Sequence, residues 1–224
     1  MTVKKLSSGR PLFVRLKTAR GRTVSSQRWL MRQLNDPYVQ QAKVDGYRSR
    51  SAYKLIEIDE KFIILKPGLT VVDLGAAPGG WTQVSLEKVG SKGRVVGIDL
   101  MPMDPIEGAT LIYGDFCDLE KIEEIKMCLK GPVNVVLSDM AAPSTGHPQT
   151  DHMRIMALAE EAFLFAQEVL GTGGSFVAKV LQGGTEKELL QLLKKHFEKV
   201  CHFKPPASRS DSAEMYVIAL GFRP

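Results

Sequence analysis

Residues 70–81 read TVVDLGAAPGGW. An apolar run ends at an acid, Asp73, and glycines and a proline follow before a helical pattern begins. That order describes a buried strand turning sharply into a helix. Gly75, Gly79 and Gly80 carry no side chain to keep backbone away from a ligand, although the same residues would also serve tight packing of helix on strand.

Outward from this turn, apolar runs alternate with helical patterns. Strands are predicted over 70–74, 94–99, 109–113, 133–138 and 174–180, with a last one over 215–220. The clearest helix covers 153–170, where Ile155, Leu158, Ala159, Ala162, Phe163, Ala166, Val169 and Leu170 share one face and Gly171 supplies the stop. Another is predicted from Thr185, whose T-E-K-E pattern forms a capping box with Glu188. Upstream, a short helix is predicted over 26–41 with Ser26 as its cap, and a second from Ser49 or Ser51 towards Phe62.

This alternation implies an α/β protein with a doubly wound, mostly parallel sheet, which binds ligands outside the carboxyl ends of its strands. Polar residues collect at those ends: Asp73 and Gly75, then Asp99, Asp115 and Asp139, with Lys179 near the end of the fifth strand. A single acid in such a place is often a turn or cap residue. Five strands that end alike point to a site.

The first turn lacks the G-x-G-x-x-G dinucleotide fingerprint, because Ala77 stands two residues after Gly75, and no G-K-[ST] follows to make a phosphate loop. What is left is a glycine turn with an acid, Asp99, placed at the second strand end to accept from ribose hydroxyls. That suits an adenosine cofactor without a pyrophosphate, such as S-adenosylmethionine, with Asp115 towards its adenine.

Lys179 lies in SFVAKVL, inside a run that a parallel sheet would bury. A desolvated lysine is costly unless paired or deprotonated, so Lys179 is a candidate general base, with snorkelling to water as the plain alternative. Asp139, at the end of the neighbouring strand, is its expected partner. Lys54 and Glu214 taken alone read as surface residues, and His147 and His152 as solvated loop histidines.

At 224 residues with 44% hydrophobic content, the chain can bury one core of ordinary size. Two segments are expected, a basic N-terminal arm with a short helix over 1–40 and a catalytic domain over 41–224. The first fifty residues hold twelve Lys or Arg against Asp36 and Asp45, while the net charge of the whole chain is only +5. A basic arm on a mildly acidic body is the footprint of a polyanion partner such as RNA, though a solvated tail or an acid-free transit segment would share that composition. No apolar run of about 18 residues supports a membrane span. Cys117, Cys128 and Cys201 lack the spacing of a zinc site and the even number of a disulfide framework, which suits a reducing cytosol.

RSRSAYKL (Arg48–Leu55), DLGAAPGGW (Asp73–Trp81), SDMA (Ser138–Ala141), the Lys179 strand and S-x-E-x-Y (Ser212–Tyr216), taken together, resemble the FtsJ/RrmJ family of ribosomal RNA 2′-O-ribose methyltransferases. The resemblance runs from about residue 27 to 222. It implies a catalytic tetrad of Lys54, Asp139, Lys179 and Glu214, cofactor contacts at Gly79, Trp81, Asp99, Asp115 and Asp139 beside the glycines 75 and 80, and a Rossmann-like seven-stranded sheet whose last strand is antiparallel. It also implies S-adenosylmethionine as methyl donor, no metal, and a uridine of large-subunit ribosomal RNA as acceptor, presented on an assembled subunit to a monomeric cytoplasmic enzyme. One departure is visible: Ala142, Pro143, Ser144 and Thr145 occupy the loop where members of the family often have an Asn. The rival readings are methylation of transfer RNA or a messenger cap, a non-catalytic ribosome assembly factor, and a nicotinamide-dependent oxidoreductase, the last disfavoured by Ala77.

Overall fold

The computed structural model describes residues 14–16, 21, 23–182 and 187–224. Two helices, α1 (Val24–Asn35) and α2 (Pro37–Asp45), lead into α3 (Ala52–Phe62). Then follow β1 (Thr70–Leu74), α4 (Gly80–Val89), β2 (Arg94–Asp99), β3 (Ala109–Tyr113), α5 (Leu119–Cys128) and β4 (Val133–Ser138). The chain closes with α6 (Pro148–Val169), β5 (Leu170–Leu181), α7 (Lys187–His196), β6 (Phe197–Phe203) and β7 (Glu214–Phe222). The seven strands form one sheet in the order β3-β2-β1-β4-β5-β7-β6. Every pair among the first five is parallel, while β7 runs antiparallel to both β5 and β6.

Side chains alternate across the strands and feed two cores. On one face Val71, Val135, Leu137, Val177, Tyr216 and Ile218 pack under α3 and α4 with Leu55, Ile58, Trp81 and Val84. On the other, Val72, Val96, Val136, Phe176 and Val217 pack against α6 and α7 through Ala159, Phe163, Ala166, Leu189 and Leu193. Burial on both faces explains why the central strands read as continuous apolar runs.

The structure corrects the predicted elements in several places. The single helix over 26–41 is two helices, because Pro37 has no N–H to continue the first and Asp36 adopts extended backbone. Its cap is Thr23, whose hydroxyl accepts from Ser26 N at 3.2 Å, and Asp36 caps the second helix through Tyr38 N at 3.0 Å. The fifth strand begins at Leu170 rather than 174, and β6 was not among the predicted strands. The serines before α3 bond each other at 2.6 Å instead of capping it. The capping box at Thr185 falls outside the described residues. No helix among the described residues is long and apolar enough to cross a membrane.

The N-terminal helices are joined to the body. Asp36, only 9% exposed at its side chain, pairs with Arg50 at 3.1 Å and with Arg209 at 3.5 Å. Tyr38 adds a hydrogen bond to Glu57 at 3.1 Å.

Candidate active site

The parallel strands end at a common edge, and a cleft of about 310 Å³ opens there. Gly75, Asp99, Asp115 and Asp139 line it, one from beyond each of β1, β3 and β4 and one from the last position of β2. Apolar walls come from Ile98, Leu100, Met101, Phe116 and Leu158. Asp99 is fixed by two backbone donors, Ala77 N at 2.9 Å and Met101 N at 2.7 Å. Asp115 accepts from Cys117 N at 2.9 Å through one oxygen. Each carboxylate keeps acceptor capacity beyond these bonds.

Gly75 has φ +78°, and a Cβ there would lie 2.7 Å from Met140 Cγ and 2.9 Å from Met140 Cα. The glycine therefore lets the chain after Asp139 close down onto the turn after β1. The loop that departs from the family pattern follows directly. It is fastened to α6 by Asp151, which accepts from Ser144 Oγ, Thr145 N and Thr145 Oγ1 at 2.7 Å each. Those hydrogen bonds, Ser144 first, lower the Asp151 carboxyl to about 2.

Beside the cleft, four charged side chains meet, three from α3, β5 and β7 and one from the residue after β4. Lys179 Nζ of β5 lies 2.8 Å from Asp139 Oδ1 and also donates to the Asp139 carbonyl at 2.8 Å. Lys54 Nζ of α3 lies 3.2 Å from Glu214 Oε2 and 3.9 Å from Asp139 Oδ1. Glu214 Oε1 is 4.0 Å from Lys179 Nζ, which closes the ring. Both lysines are buried, at 9% and 6% exposure, and two carboxylates balance their two charges. Of the alternatives open to Lys179, pairing is what the fold provides.

Burial works to raise the Asp139 carboxyl, but Lys179 and Lys54 beside it, with hydrogen bonds from Lys179 and Tyr216, outweigh burial and hold it below its usual range. Burial, then the charge and the hydrogen bond of Asp139, push the Tyr216 phenol well above its ordinary value. Tyr216 is thus a fixed donor to Asp139. Its ring lies 5.5 Å from the Trp81 ring and 5.7 Å from Lys54 Nζ.

The fold explains the meeting. In the antiparallel pair β5–β7, Lys179 faces Tyr216 and Leu181 faces Glu214, so Lys179, Tyr216 and Glu214 share one sheet face. That face is the one α3 covers, and α3 brings Lys54 to it.

The glycines 79 and 80 and Trp81 lie outside the lining of the cleft. A Cβ on Gly79 would meet Ile106 Cδ1 at 2.6 Å and Arg48 Cδ at 3.2 Å, and one on Gly80 would collide with Ser49 Oγ. Trp81 is 2% exposed and donates from Nε1 to Ser51 O at 2.8 Å. All three seat the segment before α3 against α4. Sequence reasoning passed over the parts played by Tyr216, Arg48 and Asp73, although all three stand in quoted motifs. Asp73 lies within β1, wholly buried, and takes Thr82 Oγ1 at 2.7 Å. Burial, opposed by that bond and reinforced by the charges of Asp139 and Asp99, raises its carboxyl to about 7.

Comparison with known proteins places this arrangement. The model of the FtsJ-like methyltransferase family matches residues 47–222. A protein of Paramagnetospirillum magneticum called ribosomal RNA large subunit methyltransferase E is 61% identical over 219 residues, covering 96% of this chain and 90% of that protein. The protein of the same name from Acidiphilium cryptum is 57% identical over 224 residues, covering 100% of this chain and 99% of its own length. Among solved structures, that of a Plasmodium falciparum protein assigned as a ribosomal RNA methyltransferase superposes with a TM-score of 0.71 at 32% identity, over 79% of this chain and 98% of that one. A family match across most of the chain, joined to relatives of such identity and to the seven-stranded fold, leaves one conclusion: the chain belongs to the FtsJ-like methyltransferase family.

Proposed function

We propose that the protein transfers a methyl group from S-adenosylmethionine to the 2′-hydroxyl of a uridine ribose in large-subunit ribosomal RNA. The relatives' shared name supports the RNA class. The observation that carries the ribose hydroxyl as acceptor is the Lys54–Asp139–Lys179–Glu214 ring beside the cleft.

The cleft fits the donor. Its volume of about 310 Å³ lies in the lower part of the range for small-molecule sites, roughly 300–1,000 Å³. Asp99, pinned by two backbone donors, is suited to paired ribose hydroxyls, Asp115 to an exocyclic amine, and Ile98, Leu100 and Phe116 to the faces of a purine. S-adenosylmethionine, when bound, supplies a methyl group already activated by its sulfonium centre.

The residues of the chain do the rest. Lys179 first gives up the proton of its paired, resting form to solvent, and the neutral amine then takes the proton of the 2′-hydroxyl as the oxygen becomes nucleophilic. The ammonium so formed is met at 2.8 Å by Asp139 Oδ1 and by the Asp139 carbonyl, so the new charge needs no rearrangement. Lys54, held by Glu214, places a second cation beside the developing alkoxide, and Glu214, the most exposed of the four at 31%, is within reach of the entering ribose. Much of the acceleration comes from fixing the two reactants in one geometry. A non-catalytic assembly role gives no reason for four charged side chains from α3, β5, β7 and the end of β4 to converge with their charges balanced.

The test is incubation of the purified protein with labelled S-adenosylmethionine and large ribosomal subunits from cells lacking the gene, followed by mass-spectrometric mapping. One 2′-O-methyluridine is expected, formed faster on subunits than on deproteinised RNA. A methyl group on a base, or labelling of transfer RNA instead, would refute the proposal.

A further inference from the structure

The wall of the cleft formed by Leu100 and Met101 begins a segment that has little hold of its own. Residues 100–108 read LMPMDPIEG, and Pro102 and Pro105 carry no N–H to donate. Leu100 and Met101 stand 62% and 64% exposed. Ala109 N, at the start of β3, donates to Ile106 O at 3.1 Å, and from farther along the chain the side chain of Arg48 reaches the segment. Its Nη1 donates to Asp104 O at 2.7 Å and its Nη2 to Pro105 O at 2.8 Å. A longer bond from Nη1 reaches Pro78 O at 3.4 Å, inside the turn after β1.

Arg48 is itself anchored. Its backbone N donates to Gln83 Oε1 at 2.8 Å, and Gln83 Nε2 donates back to Gly46 O at 3.0 Å, so α4 holds both sides of the residue. Room for the crossing comes from Gly79, where a Cβ would strike Ile106 Cδ1 and press on Arg48 Cδ. Six residues further on, the same run of chain carries Lys54 into the charged ring. The planar fork of a guanidinium spans neighbouring carbonyls, which a lysine's single ammonium cannot do.

We infer that Arg48 is a positioning residue that latches the methyl-donor side of the cleft, through residues 104–105, to the segment carrying Lys54, so that the donor wall and the acceptor lysine share one anchor. The inference rests on the reading that the cleft binds S-adenosylmethionine. The bland account of Arg48, an exposed cation that touches RNA phosphates, makes a different prediction.

The test compares wild type, Arg48→Lys and Arg48→Ala by amide exchange over residues 100–108 and by calorimetric binding of S-adenosylmethionine, both without RNA. In both variants exchange at Met101, Met103 and Asp104 should quicken. Donor affinity should fall roughly tenfold in Arg48→Ala, the loss expected for one charge-assisted anchor, with Arg48→Lys recovering little of it. Either change without the other, or a defect confined to RNA affinity and rescued by lysine, overturns the latch. Failure of the wild type to bind S-adenosylmethionine would refute the donor assignment instead, and the exchange data would still decide whether Arg48 holds the segment.

Discussion

Tyr216 donates to Asp139 Oδ1 at 2.6 Å, the same oxygen that Lys179 reaches at 2.8 Å. One carboxylate oxygen thus receives a buried phenol and a buried ammonium, and its direction is set by both. Replacing Tyr216 by Phe removes one holder and leaves the other. The expected result is a loss of about 1–3 kcal/mol in urea unfolding and a fall in kcat of about tenfold or less, with the KM for S-adenosylmethionine nearly unchanged.

Lys179→Met keeps the stem and removes the proton acceptor. Single-turnover methylation should fall by roughly 10²–10⁴-fold, the usual worth of a positioned acid–base group, while calorimetric binding of S-adenosylmethionine persists. A variant that methylates at the wild-type rate would end the assignment.

Asp73 gives a pH signature of known sign. Its carboxyl is raised from 3.8 to about 7 in the folded chain, so between those values the native state binds a proton that the unfolded state does not. Its contribution is therefore most favourable below pH 3.8 and is lost as pH rises towards 7. Asp73→Asn removes this titration. The stability of the variant relative to wild type should climb across that interval and level off above it, by up to roughly 4 kcal/mol if the whole shift is expressed. Urea midpoints of both proteins at pH 4.5, 6 and 7.5 would show the climb, and a flat difference would refute it.

Residues 1–22 hold seven Lys or Arg and no acid. If they pair with phosphates of the RNA, deleting them should weaken binding and flatten the plot of log K against log salt by about 0.7–0.9 for each phosphate that the arm neutralises. An unchanged slope, measured by filter binding between low and moderate salt, would assign the arm no part in affinity.

Much of the architecture was legible because a sheet covered on both faces writes its strands as apolar runs. Val71 to Leu74 and Val135 to Ser138 sit in such strands, and their ends had to carry the site. The edge strand was not legible: Phe197–Phe203 reads FEKVCHF, with Glu198 and Lys199 exposed, and only one neighbour sets its conformation. The break between α1 and α2 was written at Asp36-Pro37, a signal that the longer helix reading overrode. Within the site, the acids at strand ends and the lone lysine in a buried run announced themselves by chemical contrast. Trp81, Gly79 and Gly80 did not declare which side of their turn they served, because a glycine that admits a ligand and one that admits Arg48 are identical in sequence. The grip of Arg48 on Asp104 and Pro105 joins residues 56 and 57 positions apart, which no local pattern encodes.

The reversed strand β7 has a consequence for how the enzyme could be altered. Glu214 is its first residue, placed opposite Leu181 at the far end of β5, so the approach from β6 enters the strand at the edge that holds the charged ring. A one-residue slip of β7 against β5 would turn Glu214 and Tyr216 together to the opposite face of the sheet, and a two-residue slip would carry each past its partner. An insertion between Phe203 and Glu214 that shifted this register would therefore pull the charged ring apart rather than add surface decoration.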